Sequence, residues 1–211
     1  MRDQLSALLA NAAAGRFPPA DGGVTILPQP SPRDAGVIDF TAHAVIFADV
    51  DPAWIASQLP PGDLAGPMSP AFLQALCGAT SRKAGSIDML CVADPLPGPA
   101  PVSLTAEASS KHPRIVRALN YRDEVRAWRT DGGVVLLGKG VTDRWETAIE
   151  VDPQCRGRGL GRVLARAARH LVPSGEPLWA QIAPGNAASV RAFLAAGFRP
   201  VGAEVLLAMR R

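Results

Sequence analysis

The chain has 211 residues, 47% of them hydrophobic and 19% charged, with a formal net charge of +3. That is enough apolar material for a sizeable core, in one full domain or two small ones, and it argues against disorder. The continuously apolar runs are far shorter than a bilayer requires, so no transmembrane span is expected.

The opening segment "MRDQLSALLANAAAGRFPPA" has Asp3 early, a weak apolar stretch and no cleavage pattern. It reads as a short amphipathic helix rather than a signal peptide, which makes the cytoplasm the expected location. Cys77, Cys91 and Cys155 are odd in number, widely spaced and free of any C-x-x-C pattern. They read as reduced thiols rather than as a disulfide framework or zinc site. His43, His112 and His170 also lack ligand spacing, so no metal is expected.

The charge is unevenly spread. Residues 1–105 carry five Arg/Lys against nine Asp/Glu, a net of −4, and residues 106–211 carry seventeen against ten, a net of +7. The basic half is the one suited to an anion. Proline divides the other way, fourteen before residue 106 and six after, so the first half is loop-rich.

Beyond the first helix, "RFPPADGG" and "LPQPSPRDAG" flank a short strand over Val24–Leu27. "VIDFTAHAVIFADV" reads as extended. "DPAWIASQL" and "SPAFLQALCGAT" read as helices opened by Asp51 and Ser69, each followed by proline at the first helical position. A strand over Ile87–Ala93 follows, and then "DPLPGPAPVS", a linker or long proline-rich loop with the organisational boundary just behind it.

In the second half "PRIVRALN" reads as a short helix. "EVRAWRT", "GVVLLGKG" and "WETAIEV" read as a three-stranded meander whose first turn is "DGG". Leu160, Val163, Leu164, Ala167, Ala168 and Leu171 recur at helical spacing, with arginines on the other stripe, which predicts a helix over 159–171. "PLWAQIA" is a strand, "NAASVRAFLAAG" a helix capped by Asn186 and stopped by Gly197, and "VGAEVLLAMR" a terminal strand. The predicted order is β-β-β-α-β-α-β.

Between the third strand and the 159–171 helix lies "VDPQCRGRGLGRVL", with glycines at 157, 159 and 161. A glycine-rich turn into a helix presents free amides and the positive end of the helix dipole, a site for phosphate. Arg156, Arg158 and Arg162 add charge. No Gly-Lys-Ser/Thr occurs, which removes the Walker loop, and neither reading frame of G-x-G-x-x-G closes on a third glycine, which removes the dinucleotide fingerprint. The pattern that fits is R-x-x-G-x-G, at Arg156, Gly159 and Gly161.

This segment resembles the acetyl-CoA loop, [QR]-x-x-G-x-[GA], of the GNAT superfamily of N-acetyltransferases. The family's second signature, N-x-x-[AS]-x-x-x-[YF]-x-x-x-G-F, is matched by Asn186, Ser189, Phe193, Gly197 and Phe198. The resemblance covers about residues 112–211. It implies an α/β fold of GNAT type, a twisted mixed sheet with helices on both faces, preceded by an N-terminal α/β region.

Residues 106–211 would be the acetyl-CoA domain. Residues 1–105 would either complete one enlarged domain or form a degenerate acidic domain over the acceptor cleft, where acidity suits a cationic amine. The backbone of Ile149 to Val151 would pair with the pantetheine arm. Arg156, Gly157, Arg158, Gly159, Leu160, Gly161 and Arg162 would hold the pyrophosphate, and Asn186, Ser189 and Phe193 would line the wedge between two splayed strands.

The implied reaction is direct transfer of acetyl from acetyl-CoA, a co-substrate, to a primary amine of a small molecule or peptide, with no metal. The family's frequent thiolate-protonating tyrosine is replaced by Phe193, and the chain's single tyrosine is Tyr121. That departure supports a second reading, a non-catalytic acyl-CoA-binding or sensing protein.

Glu146 and Glu150, four residues apart on the third strand and facing one way, are candidate general bases, and the alternative is two solvated strand carboxylates. The arginine stripe lacks interleaved aromatics, which argues against nucleic acid as partner. Arg166 and Arg169 read as surface, Val190, Leu194 and Phe198 as core, and Cys155 as incidental.

Overall fold

The computed structural model describes residues 4–107, 111–173 and 175–209. In chain order the regular elements begin with α1 (Gln4–Ala13), β1 (Gly23–Leu27), β2 (Gly36–Phe40), β3 (His43–Phe47), α2 (Pro52–Gln58), α3 (Pro70–Thr80) and β4 (Arg82–Ala93). They continue with β5 (Thr105–Ala106), α4 (Pro113–Leu119), β6 (Asp123–Thr130), β7 (Gly133–Lys139) and β8 (Trp145–Val151). The last four are α5 (Leu160–Leu171), β9 (Leu178–Ile182), α6 (Ala187–Ala195) and β10 (Arg199–Met209). No helix among the described residues is long and apolar enough to cross a membrane.

Two compact units make up the chain, residues 1–90 with 201–211, and residues 91–200. Their extents differ from the halves expected at 105/106, because the terminal strand returns to the N-terminal unit and the proline-rich segment joins the second.

In the first unit the strand order is β1-β3-β2-β10-β4. The stretch read as one extended segment is a β2–β3 hairpin, turned at Thr41–Ala42 with Ala42 at φ 54. α2 and α3 start where the sequence places them: the Asp51 carboxylate accepts from the Ala53 amide at 2.9 Å, and the Ser69 hydroxyl from the Phe72 amide at 3.2 Å. Val37, Ile46, Ile55, Leu76 and Val205 form the core between these helices and the sheet. Buried Arg82 donates to the carbonyls of Pro32 and Leu207, which ties down the proline-rich turn before β2.

The second unit has the strand order β9-β8-β7-β6-β5. From β6 onward the elements follow the predicted order, and the two-residue β5 adds to it. β7 and β8 pair along their whole length, from Gly133 opposite Val151 to Lys139 opposite Trp145. α5 buries Leu164, Ala165, Ala167 and Ala168 and turns Arg162 and Arg166 to solvent. On the α4 side, Ile115 and Ala118 pack on Ala127 and Leu136.

Two expectations are corrected here. Leu194 is 41% exposed rather than core, since α6 turns Phe193 inward instead. Arg169 is no surface arginine: it donates to the carbonyls of Asp94 at 2.9 Å and Ala196 at 2.7 Å, closing the end of α6. The Leu96 amide donates to the Arg169 carbonyl at 2.8 Å, so the proline-rich segment is strapped to α5 rather than serving as a free linker.

Gly197, at φ +88, leaves the space that the Arg169 guanidinium fills. Arg169→Ala is therefore expected to lower stability by about 1–3 kcal/mol. Exposed Arg166→Ala should stay within about 0.5 kcal/mol. Denaturant unfolding of the two variants checks the contrast.

Candidate functional site

β8 is paired on one side only for most of its length. Against β9 it makes two parallel pairs, Trp145 with Leu178 and Glu146 with Trp179. From Thr147 to Val151 the β9 side has no ladder partner, and residues 148–151 are half-buried. The two strands thus diverge into a wedge whose apex lies at Glu146 and Trp179. Backbone groups along such an edge need partners from outside the sheet.

The wedge runs toward the glycine loop. After Val151 the chain makes a short 3-10 turn over Pro153–Cys155 and enters α5 through Gly157 at φ +75 and Gly159 at φ +85. Left-handed backbone at these two positions favours glycine. Backbone hydrogen bonding by the loop's amides resumes at Arg162 and Val163, both donating to the Gly159 carbonyl. Among the described residues, the amides of Gly157, Arg158, Gly159, Leu160 and Gly161 make no backbone hydrogen bond of good geometry.

Five consecutive free donors at the positive end of a helix form an anion cradle. Arg156, Arg158 and Arg162 are exposed around it, with Arg156 Nε donating to the Val151 carbonyl at 3.1 Å. A Cβ at Gly161 would meet only ordinary contacts with Ala192, Val151 and Ile149, so this third glycine has no conformational necessity.

α6 supplies the remaining predicted positions. The Asn186 side chain caps the helix by accepting from the Ser189 amide at 3.1 Å. Phe193 is buried, 4% exposed, and packs edge-on against Phe198 with ring centroids 4.9 Å apart. Its ring is a core contact and carries no acid. Tyr121 stacks with Arg117 and is 40% exposed.

The two carboxylates of β8 have different surroundings. Glu150 and its partner Arg114 are each about one-third exposed, at 3.1 Å. Glu146 is 2% exposed, which overturns the reading of both as solvated strand carboxylates. Arg122 Nε and Arg144 Nε each donate to it at 2.8 Å, and Gln181 Nε2 donates at 2.8 Å. Burial, the largest influence, would raise its pKa, but Arg144 and Arg122 together outweigh burial and hold it below the ordinary 4.5.

Two glycines, one in β7 and one just after it, make room for this network. A Cβ at Gly140 would overlap the Glu146 carboxyl, and one at Gly138 would crowd Arg122. Sequence reasoning found Glu146 but not Arg122, Arg144 or Gln181, and the signal available was the glycine pair in "GVVLLGKG". Among the described residues no group of three or more His, Cys, Asp or Glu could hold a metal ion.

Because the folded carboxyl titrates below its unfolded value, the stability from Glu146 is present above about pH 4.5 and is lost as pH falls through the folded pKa. Glu146→Gln leaves two guanidiniums without their anion and should cost about 3 kcal/mol at neutral pH. The gap between wild type and variant should narrow on acidification below about pH 4.5, as read from unfolding curves at stepped pH.

Residues 147–206 match the family model of the FR47-like proteins, a span that holds the wedge, the loop, α5, β9 and α6. Seven solved chains match the fold. They include the GCN5-related N-acetyltransferase from Kribbella flavida, at 17% identity, TM-score 0.43, with 67% of this chain and 65% of that one covered. A GNAT-family acetyltransferase from Novosphingobium aromaticivorans matches at 18% identity and TM-score 0.45, with 59% and 65% covered. One from Colwellia psychrerythraea matches at 12% identity and TM-score 0.41, with 67% and 63% covered. The chain thus spans less than two thirds of each of these structures. No curated protein is significantly similar to it. Both signature motifs, Arg156–Gly161 and Asn186–Phe198, lie inside the span that matches the FR47-like family model.

Proposed function

We propose that the protein is an acyl-CoA-dependent N-acyltransferase that moves an acetyl group from acetyl-CoA to a primary amine by direct transfer. The observation that carries this reading is the continuity of two unsatisfied backbone surfaces, the free β8 edge over Thr147–Val151 and the amides over Gly157–Gly161. A long ligand with amides at one end and phosphates at the other fits both. Coenzyme A has that form.

The amides of its pantetheine arm would pair with the backbone of Ile149 to Val151, and its diphosphate would take the loop amides with Arg156, Arg158 and Arg162. Asn186 fixes the start of α6 by capping the Ser189 amide, and Ser189 and Phe193 would line the wedge. Bound acetyl-CoA supplies an activated acyl carbonyl and a thiolate leaving group.

The chain's own contribution is positioning. The apex at Glu146 and Trp179 stops the arm, so the thioester lies there while the loop anchors the far end. Glu146 stays an anion between Arg122 and Arg144 and is an organiser of the apex rather than a base. The amine's proton leaves to water in the open wedge. Glu150 is the carboxylate of β8 able to exchange its partner, because its single ion pair with Arg114 is partly exposed and weak.

Phe193 favours a second reading, an acyl-CoA-binding protein without transfer, because its buried ring leaves the position without a proton donor. Free-thiol release from acetyl-CoA over a panel of primary amines separates the two, with transfer giving thiol and sensing giving none. For the binding step, Gly159→Val forces a β-branched residue into left-handed backbone, at about 1–3 kcal/mol of strain. Titration calorimetry should show CoA bound at least about tenfold more weakly, with an unchanged far-ultraviolet spectrum. Unchanged affinity contradicts the assignment of the loop.

A further inference from the structure

The apex network has a charge excess that structural duty alone does not account for. Glu146, one carboxylate, accepts from two guanidiniums, Arg122 and Arg144, both largely buried at 14% and 5% side-chain exposure. Burying such a group stabilises a fold weakly at best, and apolar residues of similar volume commonly do better. Two glycines, Gly138 in β7 and Gly140 just after it, are given up to fit it.

Arg122 has donor capacity left. Its Nε donates to Glu146 Oε2 at 2.8 Å and its Nη2 to Gln181 Oε1 at 3.1 Å. Nη1 has no partner among the described residues. A guanidinium carries five N–H donors in a planar fork that matches a carboxylate.

Its place is the apex itself. Gln181 lies on β9 two residues beyond the last pair, Glu146 with Trp179, so its side chain spans the first gap of the wedge and holds Arg122 there. Lys139, the next cation along β7, is engaged by Glu124 at 2.9 Å, and Glu124 also faces Arg126. The diphosphate cradle is at the other end of β8, roughly 17 Å away at 3.3–3.4 Å per residue from Glu146 to Val151. Arg122 is thus too far from the phosphates to serve them.

We propose that Arg122 receives a carboxylate of the acceptor, which makes the acceptor an amine with a neighbouring carboxylate, an amino acid or a peptide bearing a free one, rather than a bare amine. Glu146 and Gln181 act as positioning residues that hold the guanidinium plane at the apex. This inference rests on the acyltransferase reading above. The ion pair that forms also draws the amine toward the acyl carbonyl, so binding energy from the carboxylate is used for orientation.

The test is steady-state thiol release by the full chain with acetyl-CoA and matched acceptors, each amino acid beside its decarboxylated amine: lysine with cadaverine, phenylalanine with phenethylamine, leucine with isoamylamine. In wild type, kcat/KM should favour the carboxylate-bearing member of at least one pair by about tenfold or more. Arg122→Gln should bring that ratio near one, chiefly through KM, and Arg122→Lys should keep part of it. The ratio is unaffected if a variant is only partly folded, since both acceptors lose equally. Transfer that favours the decarboxylated members, or a ratio that Arg122→Gln leaves unchanged, overturns the inference while the acyltransferase reading stands. No thiol release with any acceptor overturns both.

Discussion

The structure of the second unit turns on the parting of β8 from β9 after a single pair of residues on each strand. A strand in the middle of a sheet normally has both edges satisfied, and leaving one edge open inside a protein is costly unless something else supplies the partners. Here the opening is built in. The side chains of Glu146, Gln181 and Arg122 hydrogen-bond across the point of divergence and take over where the backbone ladder stops. The wedge is a property of that buried network as much as of the strands.

The charges that hold the apex also set what can approach it. A carboxylate between two arginines at 2.8 Å each is fixed as an anion over the range in which most proteins work. It cannot readily accept a proton, and its value lies in geometry. At the other end of β8 the proposed function asks for the opposite logic: the loop takes the diphosphate with neutral amides that the chain leaves unbonded, and formal charge only supplements them. On the proposed function one end selects by fixed charge and the other by backbone, with a bare strand edge between.

Much of this was legible in the sequence, and the boundary is physical. The loop and α6 signatures are local: glycines needed at positive φ, an asparagine cap and a helix-stopping glycine all act within a few residues. The meander and the amphipathic α5 follow from period alone. The apex network is not local. Arg122 and Glu146 are 24 residues apart, and Gln181 and Glu146 are 35, and no periodicity links them, so Glu146 looked like one of two equivalent strand carboxylates. Arg169 shows the same limit, since its carbonyl partners Asp94 and Ala196 come from segments 75 and 27 residues away. In the first half, caps at Asp51 and Ser69 were readable, while the return of β10 to that unit required the fold.

The central claim is that coenzyme A satisfies the free edge of β8 and the amides over Gly157–Gly161 in one pose. Hydrogen exchange of backbone amides, with and without saturating CoA, tests it directly. The account predicts slowed exchange concentrated in residues 147–151 and 157–161, with little change along β6. Exchange in those two segments that is the same with and without CoA would contradict it.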